Sequence, residues 1–329
     1  MTTASFSTPS ASEMAARIST YSTLLDFFTS SKHIFQILHS ISNRASSMPK
    51  FLAASTGSPP KPLHILDSSF NPPTLAHHRI ILTSLLSAQQ NSAKPDPPSP
   101  QQTPRLLLLL ATQNADKAAK PASFPERLVM MELFASSILS SLSPPLSNEL
   151  VIDIGVTKHP YFVDKSASIA QEAIYEREGQ SEQIHLIGYD TLTRLLSPKY
   201  YPGNTLASLV PFLGRHRLEV TYRTDDKWGD RGAQDGFVRG IGEGRLCVRD
   251  GMAVEGENEG GGLEEYGGVR AWVTEGRIVM VEGRKNGEEV VSSTKVREAV
   301  KKGDEEALRQ LVDKGVGEFI RERGLYLDE

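Results

Sequence analysis

Hydroxyl and imidazole side chains are concentrated in the stretch SSFNPPTLAHH at residues 68 to 78, directly after an apolar run. Its two prolines predict a turn, and the spacing that follows predicts a helix that begins close to Thr74. Thr74 and His77 share one face of the first helical turn, beside unpaired backbone N–H groups and the positive end of the helix dipole. That geometry favours phosphate, and the imidazole can donate a hydrogen bond to an oxygen that gains negative charge.

The adjacent histidines, His77 and His78, also fit plainer interpretations. A threonine cap followed by a surface histidine is the commoner meaning of an isolated Thr-x-x-His pattern. A shared metal ion is disfavoured because neighbouring side chains on a helix point about 100° apart. We therefore expect His78 to be packed or solvated, and a ligand at Thr74 and His77 needs support from a second feature.

A second stretch, VVSSTKVREAV at residues 290 to 300, supplies that feature. It follows an apolar run, and Ser292 or Ser293 is expected to cap a new helix. Lys295 and Arg297 lie in the first turn, where positive side chains oppose the helix dipole and indicate an anionic ligand. Alone, the pattern also fits a serine cap with two solvated cations. Together, two such helix starts predict one shared phosphate site.

Both stretches resemble signatures of the nucleotidylyltransferase superfamily. SSFNPPTLAH is similar to G-x-F-x-P-x-(H/T)-x-G-H, and VSSTKVREAV is similar to the I-S-S-T-x-x-R motif, whose I-S-S-T-K-x-R form is typical of nicotinamide or nicotinate mononucleotide (NMN or NaMN) adenylyltransferases. LIGYDTLTRLLSPKYY and FPERLVMMEL resemble two further segments of these enzymes. The residues in these motifs are most similar to those of the fungal promoter-of-filamentation subgroup of the eukaryotic enzymes. The resemblance covers most of residues 62 to 223 and 277 to 327.

This resemblance implies a reaction. The 5′-phosphate of NMN, or of its nicotinate analogue, attacks the α-phosphorus of ATP in line, giving NAD and releasing pyrophosphate. Such chemistry depends on positioning and charge stabilisation, so no covalent intermediate is expected. Mg²⁺ is expected to bridge the ATP phosphates with mostly water ligands, and no protein metal ligands are predicted.

The resemblance also implies roles for individual residues. His77, Thr74 and Arg297 would be catalytic, with His77 at the α-phosphate and Thr74 at a neighbouring phosphate oxygen. Candidate second-substrate contacts are Lys117 and Arg127, for which solvated cations are the alternative, and Tyr201, which stands where the family has a tryptophan that stacks on the pyridine ring. The implied ATP-binding set is Ser69, Phe70, His77, Gly188, Asp190, Ser293, Thr294 and Arg297.

Departures from the signature concern both substrates. Ser68 and Ala76 stand where the superfamily usually has glycine, and Ser68 is expected to narrow the close approach that glycine permits. ATP binding is still expected. The second stacking tryptophan has no counterpart near residues 151 to 163, so the acceptor stays open. A nucleotidylyltransferase with another acceptor, a weak ATPase and a nucleotide-binding adaptor are the alternatives.

Short apolar runs alternate with longer amphipathic segments from residue 62 onward. Strands are predicted at 63–66, 105–112, 150–156, 184–188, 218–223 and 277–283, and helices at 75–90, 124–141, 166–178 and 190–197. This order predicts an α/β, doubly wound (Rossmann-like), mostly parallel sheet with helices on both faces, and a ligand beyond the carboxyl ends of its strands.

Four regions are expected along the chain. Residues 1–61 form an N-terminal extension, in which the apolar spacing of 14–41 predicts a docked helix, and residues 62–223 form the α/β core. Residues 224–276 are Gly-rich and acidic and are expected to be a flexible insertion that can engage a protein partner. Residues 277–329 hold the last strand, the SSTKVR motif and a C-terminal helical subdomain, with helices ending at Gly303, Gly315 and Gly324.

Composition excludes several functions. A net charge of −4 with a pI near 6.1 argues against nucleic acid as a partner. The single cysteine, Cys247, excludes an intrachain disulfide, and no apolar run is long enough for a membrane span. The first 50 residues lack the arginine-rich character of a transit peptide, so cytoplasm or nucleus is expected rather than the mitochondrion. The oligomeric state is left open.

Overall fold

A seven-stranded sheet organises the computed structural model, which describes residues 10–43, 62–92, 104–113, 122–144, 146–177, 182–223, 228–255, 262–283 and 290–327. The strands of this sheet are β1 (Phe35–Ile41), β2 (Leu63–Asp67), β3 (Arg105–Ala111), β4 (Val151–Thr157), β5 (Gln183–Gly188), β6 (Arg217–Thr221) and β9 (Ile278–Val281). Their order is β1-β4-β3-β2-β5-β6-β9, and every pair except β1–β4 is parallel. The predicted mostly parallel α/β sheet is confirmed.

Helices cover both faces of the sheet. They are α1 (Ala11–Ser30), α2 (Leu75–Ser92), α3 (Phe124–Ser141), α4 (Leu146–Glu149), α5 (Phe162–Ala170), α6 (Ala173–Arg177), α7 (Tyr189–Leu195), α8 (Leu209–Arg215), α9 (Arg231–Glu243), α10 (Ala271–Thr274), α11 (Ser293–Lys302), α12 (Glu305–Leu311) and α13 (Lys314–Arg323). Three short 3₁₀ turns lie at Pro198–Tyr200, Pro202–Asn204 and Leu263–Tyr266. The predicted helix over 166–178 is two helices, α5 and α6, separated at Gln171 and Glu172.

The leucine run of β3 shows why this strand is central. Leu106, Leu108 and Leu110 pack into the core on the face of α1, α3 and the C-terminal helices, whereas Leu107 and Leu109 pack on the opposite face. All five are at most 1% exposed. A strand buried on both faces can be apolar at every position, and the period-2 alternation divides its side chains between two helical layers.

The N-terminal extension contributes a helix and an edge strand. Helix α1 docks on α3, where Arg17 and the hydroxyl of Tyr21 bond to Glu132 at 2.7 and 3.0 Å. The expectation of helical structure through residue 41 is wrong, because the chain leaves the helix after Ser30 and β1 pairs antiparallel with β4. The apolar residues after Ser30 fit a helical period, but β1 also supplies aromatic and β-branched residues, and Phe35 packs beside Gly155.

A buried ionic cluster ties β1 to the centre of the sheet. Arg105 donates to both oxygens of Asp153, at 2.6 and 3.0 Å. Tyr175 and Ser40 donate to the same carboxylate at 2.9 and 2.6 Å. Burial and the Asp153 charge hold the pKa of Tyr175 well above its usual value. Because Asp153 is fully buried, these donors are what make its charge tolerable.

The segment 224–276 is folded where the structure describes it, which corrects the expectation of a flexible insertion. It contains α9, the antiparallel hairpin of β7 (Leu246–Arg249) and β8 (Met252–Glu255), a 3₁₀ turn and α10. Its buried apolar side chains join a second core cluster with α7, α8, β6 and β9; they include Phe237, Val238, Ile241, Leu246, Leu263 and Trp272. The many glycines lower the average apolar content and hide this spacing.

The C-terminal helices belong to the main core. Ser292 caps α11, and Gly303 and Gly324 end α11 and α13 in left-handed conformations, as predicted. Helix α12 ends earlier than predicted, because Val312 is extended and Gly315 lies inside the first turn of α13. Phe319 and Ile320 are fully buried in the cluster that contains α3. These contacts hold the N-terminus of α11 at the carboxyl edge of the sheet.

Candidate functional site

The loop between β2 and α2 is the centre of the site. It contains a cis peptide bond between Asn71 and Pro72, and Phe70 has a φ of 44°, in the left-handed region that favours glycine. The Phe70 ring is fully buried, with its centroid 5.6 Å from that of His77 and 6.5 Å from that of Phe134. The Phe70 ring therefore packs on the buried side of the loop, whereas Ser69 is exposed.

His77 is held in one tautomer. The backbone N–H of Thr74 donates to His77 Nδ1 at 3.0 Å, and the Thr74 hydroxyl lies 2.9 Å from the same nitrogen. Nδ1 is then an acceptor and the proton lies on Nε2, which is 3.0 Å from Ser68 Oγ. Burial, with a further contribution from the nearby Arg223 cation, lowers the pKa of His77 to about 4. A neutral imidazole results, with its one N–H donor directed at Ser68 Oγ.

Thr74 lies behind this imidazole. It is only 1% exposed, and its hydroxyl is directed to His77. The structure thus gives Thr74 an orienting contact with His77, and its contact with a phosphate stays a prediction. The adjacent His78 is also buried, bonded to Asp313 at 3.0 Å and to Ser141 at 2.9 Å. His78 is a packing residue, as expected.

The structure brings the two sequence motifs together. Ser293 Oγ donates to the carbonyl oxygen of Pro72 at 2.8 Å, and Arg297 Nη1 donates to that of Asn71 at 2.9 Å. The Tyr326 hydroxyl donates to Asn71 Oδ1 at 3.0 Å, which fixes the loop from the C-terminal side. Thr294 is exposed at the start of α11, 3.4 Å from Arg297 Nη2. The N-termini of α2 and α11 thus face one loop, where their dipoles favour an anion.

Gly188 and Asp190 lie at the carboxyl end of β5, the strand next to β2. Asp190 accepts hydrogen bonds from Arg223 Nε at 2.7 Å and from Arg194 at 3.1 Å. A Cβ atom on Gly188 would lie 2.7 Å from Asp190 Oδ1 and 3.1 Å from Arg223 Nε. Gly188 therefore permits a close approach that any side chain would prevent.

Two charged groups in the site were not identified from the sequence. Arg223 follows β6 by two residues, and its charge acts on His77. Lys165 forms an ion pair with Asp67 at 2.5 Å, and both side chains are less than 10% exposed. The position of Arg223 after a parallel strand is a usable signal, because such strand ends meet at one edge. Lys165 lies on α5 and gives no comparable signal.

The structure describes two of the three residues that are predicted to contact the second substrate. Lys117 lies outside the described residues. Arg127 is buried, donates from Nε to the Ala122 carbonyl at 2.9 Å and lies over the Phe124 ring, so the alternative of a solvated cation is wrong. Burial lowers the pKa of its guanidinium. The Tyr201 hydroxyl donates to the Leu195 carbonyl at 2.8 Å, and burial raises its pKa.

A cavity of about 860 Å³ opens near the end of β3, the strand next to β2. It is at the carboxyl ends of β3 and β4, between α1 and the start of α3, and it is lined by Ser22, Leu25, Asp26, Thr29, Thr112, Gln113, Ala122, Ser123, Phe124, Pro125 and Lys158. Lys158 Nζ donates to the carbonyls of Thr29 and Ser31 at 3.2 and 2.7 Å. These bonds hold the end of α1 in place along one side of the cavity. This volume suits a small organic molecule.

The described residues contain neither a cluster of metal-binding side chains nor a helix suited to cross a membrane. Within them, no three His, Cys, Asp or Glu side chains are grouped so as to hold a metal ion. None of the described helices combines the length and the apolar character that crossing a membrane requires.

The fold and site define an α/β architecture in which two helix N-termini face one loop at the carboxyl edge of a mostly parallel sheet, an arrangement that favours an anion. No family model matches the chain. A Schizosaccharomyces pombe protein, provisionally named a nicotinamide mononucleotide adenylyltransferase, is 37% identical over 153 residues, which are 46% of this chain. The match spans 49% of that relative, so the chain spans about half the length of the curated protein it matches.

Two solved structures align with most of this chain. Plasmodium falciparum nicotinic acid mononucleotide adenylyltransferase, complexed with NaAD, aligns over 81% of this chain and 97% of its own, with a TM-score of 0.45 and 12% identity. The same enzyme complexed with APC aligns over the same shares, with a TM-score of 0.44 and 10% identity.

Proposed function

We propose that the protein is an adenylyltransferase that transfers AMP from ATP to nicotinamide mononucleotide or nicotinate mononucleotide. The observation that carries this proposal is the contact of α11 with the loop after β2, through Ser293 and Arg297, beside the neutral imidazole of His77. The 37% identity to the fission yeast protein supports it. The residues of the sequence motifs further support membership of the fungal promoter-of-filamentation subgroup.

The reaction needs no group of the protein as nucleophile or base. An oxygen of the acceptor 5′-phosphate, already anionic, attacks the α-phosphorus, and the bond from that phosphorus to the bridging oxygen of the β-phosphate breaks. Pyrophosphate leaves with the electron pair. His77 Nε2–H donates to an α-phosphate oxygen as negative charge develops there, and Arg297 with Ser293 and Thr294 holds the β- and γ-phosphates.

Mg²⁺ enters as part of the substrate, bound to the ATP phosphates and water. The exposed hydroxyl of Thr294 and the cation of Arg297 suit a magnesium-bridged triphosphate at the start of α11. Ser69 and Phe70 form the loop below the nucleotide. The Asp190 carboxylate has lone pairs beyond those used by Arg223 and Arg194, so it can also accept a hydrogen bond from an adenosine ribose hydroxyl above Gly188.

The acceptor occupies the 860 Å³ cavity in this proposal. The cavity follows β3 and β4, so a molecule there lies next to the end of β2, where His77 is placed. Arg127 borders it through its bond to Ala122 and supplies a buried positive charge. Lys117 stays a prediction for the phosphate of the acceptor.

Tyr201 gives a specific reason to keep a second candidate. Its hydroxyl is bonded to Leu195 and its ring packs against the second core cluster. A ring held there favours an acceptor that does not depend on stacking at this position. The second candidate is therefore a nucleotidylyltransferase with another acceptor, or a weak ATPase when water is the acceptor. An adaptor that binds through residues 224–276 is less favoured, because the described part of this segment is buried against the core.

An acceptor screen tests the proposal. Purified protein is incubated with Mg²⁺ and ATP, and with NMN, nicotinate mononucleotide, other phosphomonoesters or no acceptor, while the dinucleotide and pyrophosphate are quantified. Dinucleotide formed in equal amount to pyrophosphate supports the proposed function. Pyrophosphate formed only with a non-pyridine phosphomonoester supports the second candidate. Release of inorganic phosphate without any adenylylated product identifies a weak ATPase and contradicts adenylyl transfer.

A further inference from the structure

Gln234 makes an unusual contact from α9 to the backbone of Arg223. Its Oε1 accepts the Arg223 N–H at 3.0 Å, and its Nε2 donates to the Arg223 carbonyl and to the Gly229 carbonyl, the latter at 3.2 Å. The side chain is fully buried. A buried amide must satisfy its polar atoms, and here it does so by pairing both backbone groups of one residue in another segment.

The backbone of Arg223 needs such a partner because no strand pairing holds it. Strand β6 ends at Thr221, so Arg223 is beyond the hydrogen-bonded ladder that holds the strand backbone. Its side chain is 40% exposed, yet its Nε is placed 2.7 Å from Asp190 Oδ1. A long side chain on a free backbone loses conformational entropy to hold one geometry. Fixing the backbone with Gln234 lowers that loss.

Helix α9 is itself firmly attached beside the site. The Tyr222 hydroxyl donates to Asp235 at 2.5 Å, and Arg231 bonds to Glu282 beyond β9. Phe237, one turn after Gln234, packs edge to face on Tyr189 with ring centroids 5.6 Å apart. Tyr189 lies between Gly188 and Asp190. One face of α9 therefore contacts Arg223 through Gln234, and through Phe237 it contacts Tyr189, the residue before Asp190.

We propose that α9 is an integral part of the nucleotide site and that Gln234 is a positioning residue, which fixes Arg223 so that its guanidinium holds Asp190 and faces the ATP phosphates near His77. This inference rests on the proposed function and deepens it. It adds Arg223 as an ATP contact and gives the Gly-rich segment a role in nucleotide binding. Among the described residues, the terminal N–H groups of Arg223 have no acceptor, which leaves them for phosphate or ribose oxygens.

The test measures the affinity of the full-length protein for MgATP by calorimetry in the native protein, Gln234→Leu, Arg223→Ala and the double variant. We expect Gln234→Leu to weaken ATP binding about tenfold, the scale of one lost charge-assisted hydrogen bond. The double variant is expected to bind no more than about twofold more weakly than Arg223→Ala, because Gln234 acts through Arg223. Native affinity in Gln234→Leu, or a full tenfold loss added in the Arg223→Ala background, overturns the inference.

Ile241→Ala is the matched control on the same helix. Ile241 is 3% exposed in the second core cluster, so the variant loosens α9 without touching the amide contact. Unchanged ATP affinity is expected, and an equal loss in this control overturns the positioning role. Should Gln234→Leu not fold, Gln234→Glu keeps the side-chain length and the acceptor for the Arg223 N–H. It is expected to show a smaller loss, and native affinity in this variant also counts against the proposal.

Turnover separates this inference from the proposed function. In dinucleotide synthesis, the KM for ATP should rise in Gln234→Leu while the KM for the acceptor stays the same, because Arg223 is on the nucleotide side. If the native protein binds ATP but makes no dinucleotide, the acceptor assignment fails and the calorimetric comparison still decides the role of Gln234. If the native protein makes dinucleotide and Gln234→Leu keeps full ATP affinity, only the present inference fails.

Discussion

The backbone N–H of Thr74 donates to Nδ1 of His77 at 3.0 Å, which leaves the imidazole proton on Nε2. Because the Thr74 hydroxyl lies 2.9 Å from the same nitrogen, rotation of the ring would cost both contacts. A donor fixed before substrate arrives needs no reorganisation during the reaction.

Replacement of His77 by alanine should lower kcat for dinucleotide synthesis about 100-fold or more, because it removes the proposed donor to an oxygen that gains charge in the transition state. Steady-state kinetics with saturating MgATP and acceptor measure the effect. His33→Ala, at an exposed position, is the control and should turn over normally. Unchanged kcat in His77→Ala would remove the proposed mechanism.

Replacement of the neighbouring His78 should lower stability and leave kcat nearly unchanged. In His78→Ala, Asp313 and Ser141 lose a buried partner, at a cost of about 1–3 kcal/mol in the free energy of unfolding. Because both ring nitrogens of His78 are bonded to Asp313 and Ser141, away from the proposed phosphate site, kcat of the folded fraction should change little. Urea denaturation and kinetics on the same preparations separate the two effects. A large loss of kcat without destabilisation would show that His78 belongs to the site.

Stability should fall as the pH is lowered from about 6.5 towards 4. Burial lowers the pKa of His64, His77 and His216 to about 4 and that of His185 to about 3, from an ordinary value of 6.5. Between those values the unfolded chain binds protons that the folded protein does not, so the free energy of unfolding rises with pH in this window. Urea denaturation at several pH values measures the slope, which His185→Leu should make shallower. Equal slopes in both proteins would contradict a neutral His185.

Arg297 should be more sensitive to substitution than other cations of α11. Arg297→Ala removes the donor to the Asn71 carbonyl and the proposed phosphate contact, so ATP affinity should fall at least about tenfold, whereas Arg297→Lys should recover part of it. Lys302→Ala, in the exposed last turn, is the control. Calorimetric titration with MgATP measures all three. Equal affinities in the alanine variants of Arg297 and Lys302 would exclude Arg297 from the site.

Gly188 provides a steric test of the Asp190 side of the site. In Gly188→Ala the new methyl group would overlap Asp190 Oδ1, so the carboxylate must move and the KM for ATP should rise about tenfold. Gly214→Ala is the matched control, because a Cβ atom there meets nothing within 4 Å. Kinetics with varied ATP compare the two. A normal KM in Gly188→Ala would show that Asp190 is not needed for ATP.

The sequence predicts the central strands well because their apolar runs are unbroken, as in Leu106 to Leu110. It also predicts that the residues near His77 and Arg297 belong to one site, since parallel strands end at one edge. The sequence does not predict β1, because its apolar spacing fits both a helix and a strand. Only the pairing with β4 selects the strand. The sequence fails again at α9, whose buried face is diluted by glycine, and at Lys165, whose partner Asp67 lies 98 residues away.

The position of β1 sets an order of events on the ribosome. This strand leaves the exit tunnel before β4, because the carboxylate that Ser40 bonds, Asp153, is made 113 residues later. Domains acquire structure as they are synthesised, and an unpaired strand is prone to association until its partner arrives. Residues 35–41 therefore have no strand partner in the sheet until β4 emerges, so their pairing groups stay open to neighbouring chains during this interval.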